Sequence, residues 1–491
     1  MVNQSCNRQD LYYPPLHYIF GRSACLNLII QIMRIEKNAT FLLFFFVTLS
    51  CEAQLQPVYI FQKDDSLLKN WYYDQSAKKK AFLLASVDKK MAPDYKKIYE
   101  DQFKEIGQLW QSDRSVTAPD ANEYLQAVVQ KILSANGELK KTDARVIFSR
   151  DWWPNAYSMG DGTIAINAGL MVFLDNEAEL VFVLSHELAH YYLDHTGSAI
   201  KKYVETISSE SFQKELKRLA KTEYGANRQL EELSKSFAFS SRKHTRENEA
   251  AADKLAFNFM KKTGYDCGAI RTSLELLDKI DDSLLYKPLV LQQVFNFNEY
   301  PFKKKWIQKE SSIFSQLDEN DSPLTGKEKD SLKTHPDCNK RISLLNDSIQ
   351  TVLTGKKFLV NEGLFRQLKK DFFIEMTEQC YREKNLSRNL YYSLLLLQAQ
   401  ENTPLAVYSI ARGLNQVYEY QKKHQLGSKI DAESKTYPEE YNQLLRMLDQ
   451  LRLDEIANVN YHFCKQYESV MKDYAGFNEE VNKVKQLRKN L

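Results

Sequence analysis

The chain has 491 residues, with 67 Lys and Arg against 64 Asp and Glu, for a formal net charge of +3 at pH 7. A balance this close to neutral gives no electrostatic ground for nucleic-acid binding, and the length suffices for two or three domains. Glycine is scarce, 16 residues in all, as suits a chain built mainly of helix.

The first fifty residues read as a targeting region. Met33-Arg34-Ile35-Glu36-Lys37 precedes an apolar run from Ala39 to Leu49 that has the length of a signal-peptide core and is too short to span a bilayer. Export to the periplasm or cell envelope is expected, with cleavage after Ala53; a lipid anchor at Cys51 is the alternative, for which Thr48-Leu49-Ser50 is a poor approach. Residues before Met33 lack the features of an n-region, so translation is expected to start at Met33. Beyond the leader lie Cys267, Cys338, Cys380 and Cys464. Either two bridges (Cys267 with Cys338, Cys380 with Cys464) or four free buried thiols satisfy this count, and sequence does not choose.

From Gln54 to about Pro93 the chain is mixed and locally basic, a solvated face without chemical signal. Helices are expected over 94–109 and 120–136, the second with Tyr124, Leu125, Val128, Val129, Ile132 and Leu133 at helical spacing after Asp120. Ala144 to Ser149 reads as a strand. Trp153 to Ser158 and Thr163 to Leu170, separated by Gly160-Asp161-Gly162, read as a hairpin. An edge strand there, with Asn155 and Ala156, would offer unpaired backbone groups to an extended peptide.

Next, Asn176-Glu177-Ala178-Glu179-Leu180 opens a helix with acidic residues in its first turn. That helix carries His186-Glu187-Leu188-Ala189-His190. Residues four apart share a helix face, so His186 and His190 can aim two imidazoles at one metal ion while Glu187 stands beside the open coordination position. With 8 His and 64 acidic residues in the chain, about 0.02 such matches arise by composition alone. A third zinc ligand is then needed, and Glu249 can supply it from Arg246 to Asp253, with Asp253 one turn on accepting the second ring N–H of a ligand histidine. His195, about 140° round the helix from His190, is expected to be structural or at the surface. The polar segment 196–245 is expected to be a helical excursion over this region or a loop.

Taken together, Asn155-Ala156, Gly169-Leu170, Asn176 to Leu180, the His186 to His190 motif and Glu249 with Ala252-Asp253 resemble the zinc peptidase family that contains the CAAX prenyl protease and the OMA-type proteases. Thr334-His335-Pro336 with Arg341-Ile342 looks like that family's His-Pro-x-x-x-x-Arg segment. The resemblance implies one Zn2+ held by His186, His190 and Glu249, with Glu187 as the general base and Asp253 behind the ligands. It also implies that His335 and Arg341 lie near the open site, stabilising an oxyanion or, for His335, plugging the metal.

The expected fold is mainly α with a small β-sheet, an α+β zincin-type catalytic domain followed by an all-α C-terminal domain. The divisions are 1–53 leader, 54–119 N-terminal helical segment, 120–355 zinc metallopeptidase domain and 356–491 C-terminal helices. The resemblance implies a repeat-like C-terminal domain, although the residues show no fixed period. The section 281–333 is expected to be a lid or an insertion. The function implied is hydrolysis of polypeptides of the envelope or of misfolded proteins, with an envelope protein partner on the C-terminal helices and peripheral membrane association. The rival from another class is a chaperone or interaction protein on a peptidase scaffold with structural zinc.

Overall fold

The computed structural model of the protein describes residues 59, 62–219, 246–280, 288–309, 338–352, 355–435 and 437–489. The expected leader, most of 281–333, and the segment with His335 lie outside these residues. The described residues all fall in one compact unit. The described part is mainly helical with one mixed four-stranded sheet, as expected from composition and pattern.

Helix α1 (Ser66–Ser86) and helix α2 (Ala92–Gln111) pack together as a hairpin. The stretch read as a solvated face is therefore largely helix. Its start is set by Asp65, whose carboxylate accepts from the N–H groups of Leu67 (2.9 Å) and Leu68 (3.1 Å) and so satisfies two donors that have no partner inside the helix. Tyr72 of α1 is buried and stacks on Trp110 of α2 at 4.5 Å between ring centroids.

After β1 (Ser115–Val116) comes α3 (Pro119–Ala135), which opens with Pro119 in its first turn, where a missing N–H costs nothing. Strand β2 (Arg145–Ser149) runs antiparallel to β1 and parallel to β4 (Thr163–Asn167), and β3 (Ala156–Ser158) pairs antiparallel with β4. The order is β1-β2-β4-β3, which puts β3 at an edge. Gly160 and Gly162 take φ of +83° and +99° in the turn between β3 and β4, a conformation that disfavours any side chain. The second half of the hairpin ends sooner than expected, because Ala168–Phe173 is helix α4. Gly169 permits this: a Cβ there would lie 1.9 Å from the carbonyl oxygen of Trp152.

Successive side chains of a strand face opposite ways, and both faces of this sheet are covered. Ile147 and Ala165 point to the α1–α2 hairpin, among Tyr95, Tyr99, Phe103, Ile106 and Trp110. Val146, Phe148, Ile164 and Ile166 point to the other side, where Tyr124 and Val128 of α3 and Leu180 and Leu184 of α5 (Glu177–Tyr192) complete a second core. Helices α6 (His195–Ser208), α7 (Glu210–Leu219), α8 (246–260) and α9 (Ala269–Ile280) follow, then α10 (Leu291–Phe295) and α11 (Cys338–Gln350).

Six longer helices close the chain: α12 (Glu362–Arg382), α13 (Leu386–Gln398), α14 (Thr403–Lys422), α15 (Glu439–Gln450), α16 (Leu453–Met471) and α17 (Ala475–Lys489). Helix α12 lies on α4, and Phe372 meets Phe148 of β2 edge-on at 4.8 Å. Arg150, at the end of β2, donates to Glu375 of α12 (2.5 Å) and to Asp64 ahead of α1 (2.8 Å). One apolar core thus runs from Val116 to Val484. Residues 288–309 join the C-terminal helices, with Trp306 buried and its indole N–H donating to Glu455 at 3.1 Å.

Cys267, Cys338, Cys380 and Cys464 are each a free buried thiol. Burial pushes the Cys267 thiol up to about 11 and that of Cys464 up to about 12, so neither ionises near neutral pH. Among the described residues, no helix is long and apolar enough to cross a membrane.

Candidate metal centre

Helix α5 is buried on every side from Glu177 to Ala189. Its start is fixed twice. Asn176 caps it by accepting from the Glu179 N–H at 3.1 Å. The carboxylate of Glu177 accepts from the N–H groups of Leu359, Val360 and Asn361 and from the Tyr265 hydroxyl, at 2.7 to 2.9 Å. These donors outweigh burial and hold the Glu177 carboxyl below its ordinary range. The helix that carries the His-Glu-x-x-His motif is thereby tied to the segment entering the C-terminal helices.

One turn apart on α5, His186 and His190 bring their Nε2 atoms to 3.0 Å of each other. Helix α8 faces them with Glu249, whose oxygens stand 3.5 Å from His186 Nε2 and 3.3 Å from His190 Nε2. Ligand atoms of all three lie within 4.8 Å of one another. Asp253, a turn later on α8, reaches His186 Nδ1 at 3.0 Å.

Arg341 of α11 closes the group behind. Its Nε and Nη2 donate to the two oxygens of Asp253 at 2.6 and 2.7 Å, and its Nη1 lies 2.8 Å from Glu249 Oε2. Burial opposes the charge on Asp253, but the hydrogen bonds from Arg341 and His186 win and keep its pKa low. Burial would likewise lower the His186 pKa, and the carboxylates of Asp253 and Glu249 reverse this and lift it to about 10. The pocket calls for positive charge.

The arrangement fits zinc. Four ligands held tetrahedrally at about 2.0–2.1 Å stand about 3.3 Å apart, and the three separations here, 3.0, 3.3 and 3.5 Å, bracket that spacing. To serve as a ligand, His186 would give up its Nε2 hydrogen in favour of the ion and keep the one at Nδ1, which faces Asp253 at 3.0 Å. Three electron-rich atoms pointing at one another repel unless a cation lies between them. Glu187, Glu249 and Asp253 against Arg341 leave two negative charges, which one divalent ion matches.

Glu187 is buried on α5 beside His186 and lines, with Ala156, Leu170, Phe182, Val183 and Leu277, a crevice of about 10 Å³. Ala156 of the edge strand therefore stands across the crevice from the motif. Asn155 immediately precedes that strand, and its carbonyl accepts from the Asn167 N–H at 3.0 Å. Arg341 stands beside the ligand cluster, with its guanidinium on Asp253 and Glu249. His335 lies outside the described residues.

His195, expected to be structural or at the surface, is placed with its Nδ1 2.8 Å from Nδ1 of His190. Extrapolating 100° per residue fails because α5 ends at Tyr192. Asp194 takes a left-handed φ of +50° and caps α6, so His195 starts a new helix that folds back on the first. Burial and the neighbouring His190 lower the His195 pKa to about 4, which keeps its ring neutral. No pattern in the sequence marks such a reversal except the Asp194-x-x-Gly197 spacing, with Gly197 N–H donating to Asp194.

A buried His-Glu-x-x-His helix, a glutamate from a second helix and a sheet edge alongside define a zincin-type metallopeptidase scaffold. Residues 119–349, from the first residue of α3 into the last turn of α11, match peptidase family M48. The matched stretch is just under half of the chain and takes in His186, Glu187, His190, Glu249 and Arg341; members of that family are zinc-dependent. The chain is 25% identical over 184 residues to a putative beta-barrel assembly-enhancing protease of Vibrio cholerae, an alignment covering 36% of each chain. It is 26% identical over 176 residues to the metalloprotease LoiP of Escherichia coli, covering 34% of this chain and 65% of that one. To the mitochondrial metalloendopeptidase OMA1 of Schizosaccharomyces pombe it is 24% identical over 190 residues, covering 38% and 53% respectively. Each alignment spans less than two thirds of the relative's own length.

Proposed function

We propose that the protein is an exported zinc metalloendopeptidase that hydrolyses polypeptides of the cell envelope or misfolded chains. The observation that carries the reading is the convergence of His186, His190 and Glu249 with Glu187 adjoining on the same buried helix. His186, His190 and Glu249 would hold the ion. When bound, zinc supplies the Lewis acidity that makes water a nucleophile near neutral pH. Glu187 takes the proton from the attacking water and delivers it to the leaving amine. Asp253 fixes the ring of His186, and Arg341 fixes both carboxylates of α8. The backbone of β3 holds the substrate extended across the site. Export is supported by the apolar run from Ala39 to Leu49, and an envelope substrate by the name of the Vibrio cholerae relative.

The test is cleavage of an unfolded model protein by wild type and Glu187→Gln, with and without chelator, alongside zinc stoichiometry. Expected are one zinc in both proteins and chelator-sensitive cleavage in the wild type alone. Cleavage that survives Glu187→Gln refutes the assignment. Zinc binding without cleavage by the wild type favours the rival reading, an interaction protein with structural zinc.

A further inference from the structure

We propose that the cavity walled by Trp152, Trp153 and Tyr157 at the free edge of β3 is a substrate subsite. It takes a large aromatic or long aliphatic side chain from every second residue of a polypeptide bound along that edge. The inference rests on the peptidase reading and adds what the enzyme selects.

The backbone of β3 sets the geometry. Among the described residues β3 pairs with β4 alone. The Asn155 carbonyl accepts from Asn167 and the Met159 N–H donates to Thr163, so these positions turn their backbone groups toward β4. By antiparallel alternation, the groups of Ala156 and Ser158 turn to the open side. A peptide added there becomes a fifth strand whose side chains also alternate between the two faces.

Those faces differ. On one, Ala156 adjoins His186 and Glu187 at the crevice of about 10 Å³, no more than one water occupies. On the other, Asn155 and Tyr157 border a cavity of about 480 Å³, within the usual range for ligand sites. Neighbouring residues of a bound strand would thus meet a tight crevice and a roomy pocket in turn.

The roomy side is built to be rigid. The Trp153 carbonyl accepts from the Asn167 side chain at 2.9 Å, and Gly169 N–H donates to the Asp151 carbonyl at 3.0 Å. Trp152 and Trp153 meet edge to face at 5.5 Å, and Arg388 of α13 stacks on Trp152 at 4.5 Å. A pre-formed aromatic wall binds without losing side-chain freedom at that moment.

The chemistry of the lining selects the class of side chain. Its buried-side charges are spent on each other, since Arg114 donates from Nε and Nη2 to the two oxygens of Asp151 at 3.0 and 2.6 Å. The rest of the lining is mixed: Glu105 and Gln108 stand on the α2 side, while Trp152, Trp153 and Tyr157 supply the aromatic surface that an apolar side chain would cover. Burying an aromatic side chain against such a wall is worth tenfold or more over alanine.

The experiment profiles wild-type cleavage with a positional peptide library, then compares kcat/KM for a matched peptide pair differing by Phe or Ala at the selected position. Expected is a preference for large apolar residues at positions of one parity about the scissile bond, at least tenfold for Phe over Ala. Trp153→Ala should collapse that ratio to under threefold, and Trp153→Phe should keep most of it. Because Trp153→Ala could disturb folding, Gln108→Trp provides an independent arm: Gln108 is an exposed residue of α2 on the cavity wall, and a larger side chain there should invert the preference toward Ala. A wild type that cleaves but shows no parity, or a ratio insensitive to both Trp153→Ala and Gln108→Trp, overturns the subsite. A wild type without chelator-sensitive cleavage overturns the peptidase reading instead.

Discussion

The Nδ1 atoms of His190 and His195 stand 2.8 Å apart, so one ring donates and the other accepts. For His190 to offer its Nε2 lone pair beside His186 and Glu249, its Nδ1 carries the hydrogen and His195 is the acceptor. His195 then does for His190 what Asp253 does for His186, with a neutral ring in place of a carboxylate.

His195→Ala should weaken zinc binding by about 10–100-fold while leaving the fold intact. His195→Asn, whose side-chain oxygen can accept from His190, should recover part of the loss. Competition against a chromophoric chelator reads both. Unchanged affinity in the alanine variant would show that His195 does not orient its neighbour.

Arg341→Leu removes the cation that two buried carboxylates share. Leaving a buried charge without its partner costs about 3–5 kcal/mol. Zinc restores part of the missing positive charge, so the loss measured by urea unfolding should be larger after chelation than with zinc bound. Equal losses in the two states would argue against electrostatic coupling between Arg341 and the metal ligands.

Glu249→Gln keeps the shape of the side chain and removes its charge. Zinc occupancy after dialysis should fall at least about tenfold, with the far-UV circular dichroism unchanged. Full occupancy in this variant would require a different third ligand.

Glu455 is buried in α16, and although burial opposes its charge, donation from Lys303 (2.9 Å) and Trp306 (3.1 Å) draws its pKa to about 2 from the ordinary 4.5. A carboxylate depressed on folding stabilises fully above its unfolded pKa and ceases to do so as the pH falls through its folded one. The urea midpoint should therefore decline between pH 4.5 and about 2, and less steeply in Glu455→Gln. Parallel pH profiles for the two proteins would exclude this anchor as a source of acid sensitivity.

Helical periodicity places His186 with His190 and Glu249 with Asp253, and this made the cluster of His186, His190 and Glu249 legible. It could not show that Asp253 is shared between His186 and Arg341, since α11 comes from 88 residues further along the chain. The contact of His195 with His190 was not legible, because the end of α5 at Tyr192 and the reversal at Asp194 are set by a left-handed residue that no apolar pattern announces. Helix α1 falls in the segment expected to be helical, but its bounds were not legible: its apolar residues are divided between a buried side at Tyr72 and exposed positions at Leu67, Trp71 and Phe82, so no single stripe emerges. Between the two cysteine alternatives, tertiary packing decided for thiols.

Burial of α5 from Glu177 to Ala189 bears on how the metal is gained and lost. In a zinc finger the ion organises its own ligands, and its removal unfolds the domain. Here the apolar core and the donors on Glu177 have already met the entropic cost of ordering His186 and His190. Binding energy then goes to the ion rather than to folding, and the protein should pass between empty and loaded forms as a reversible exchange on a standing scaffold.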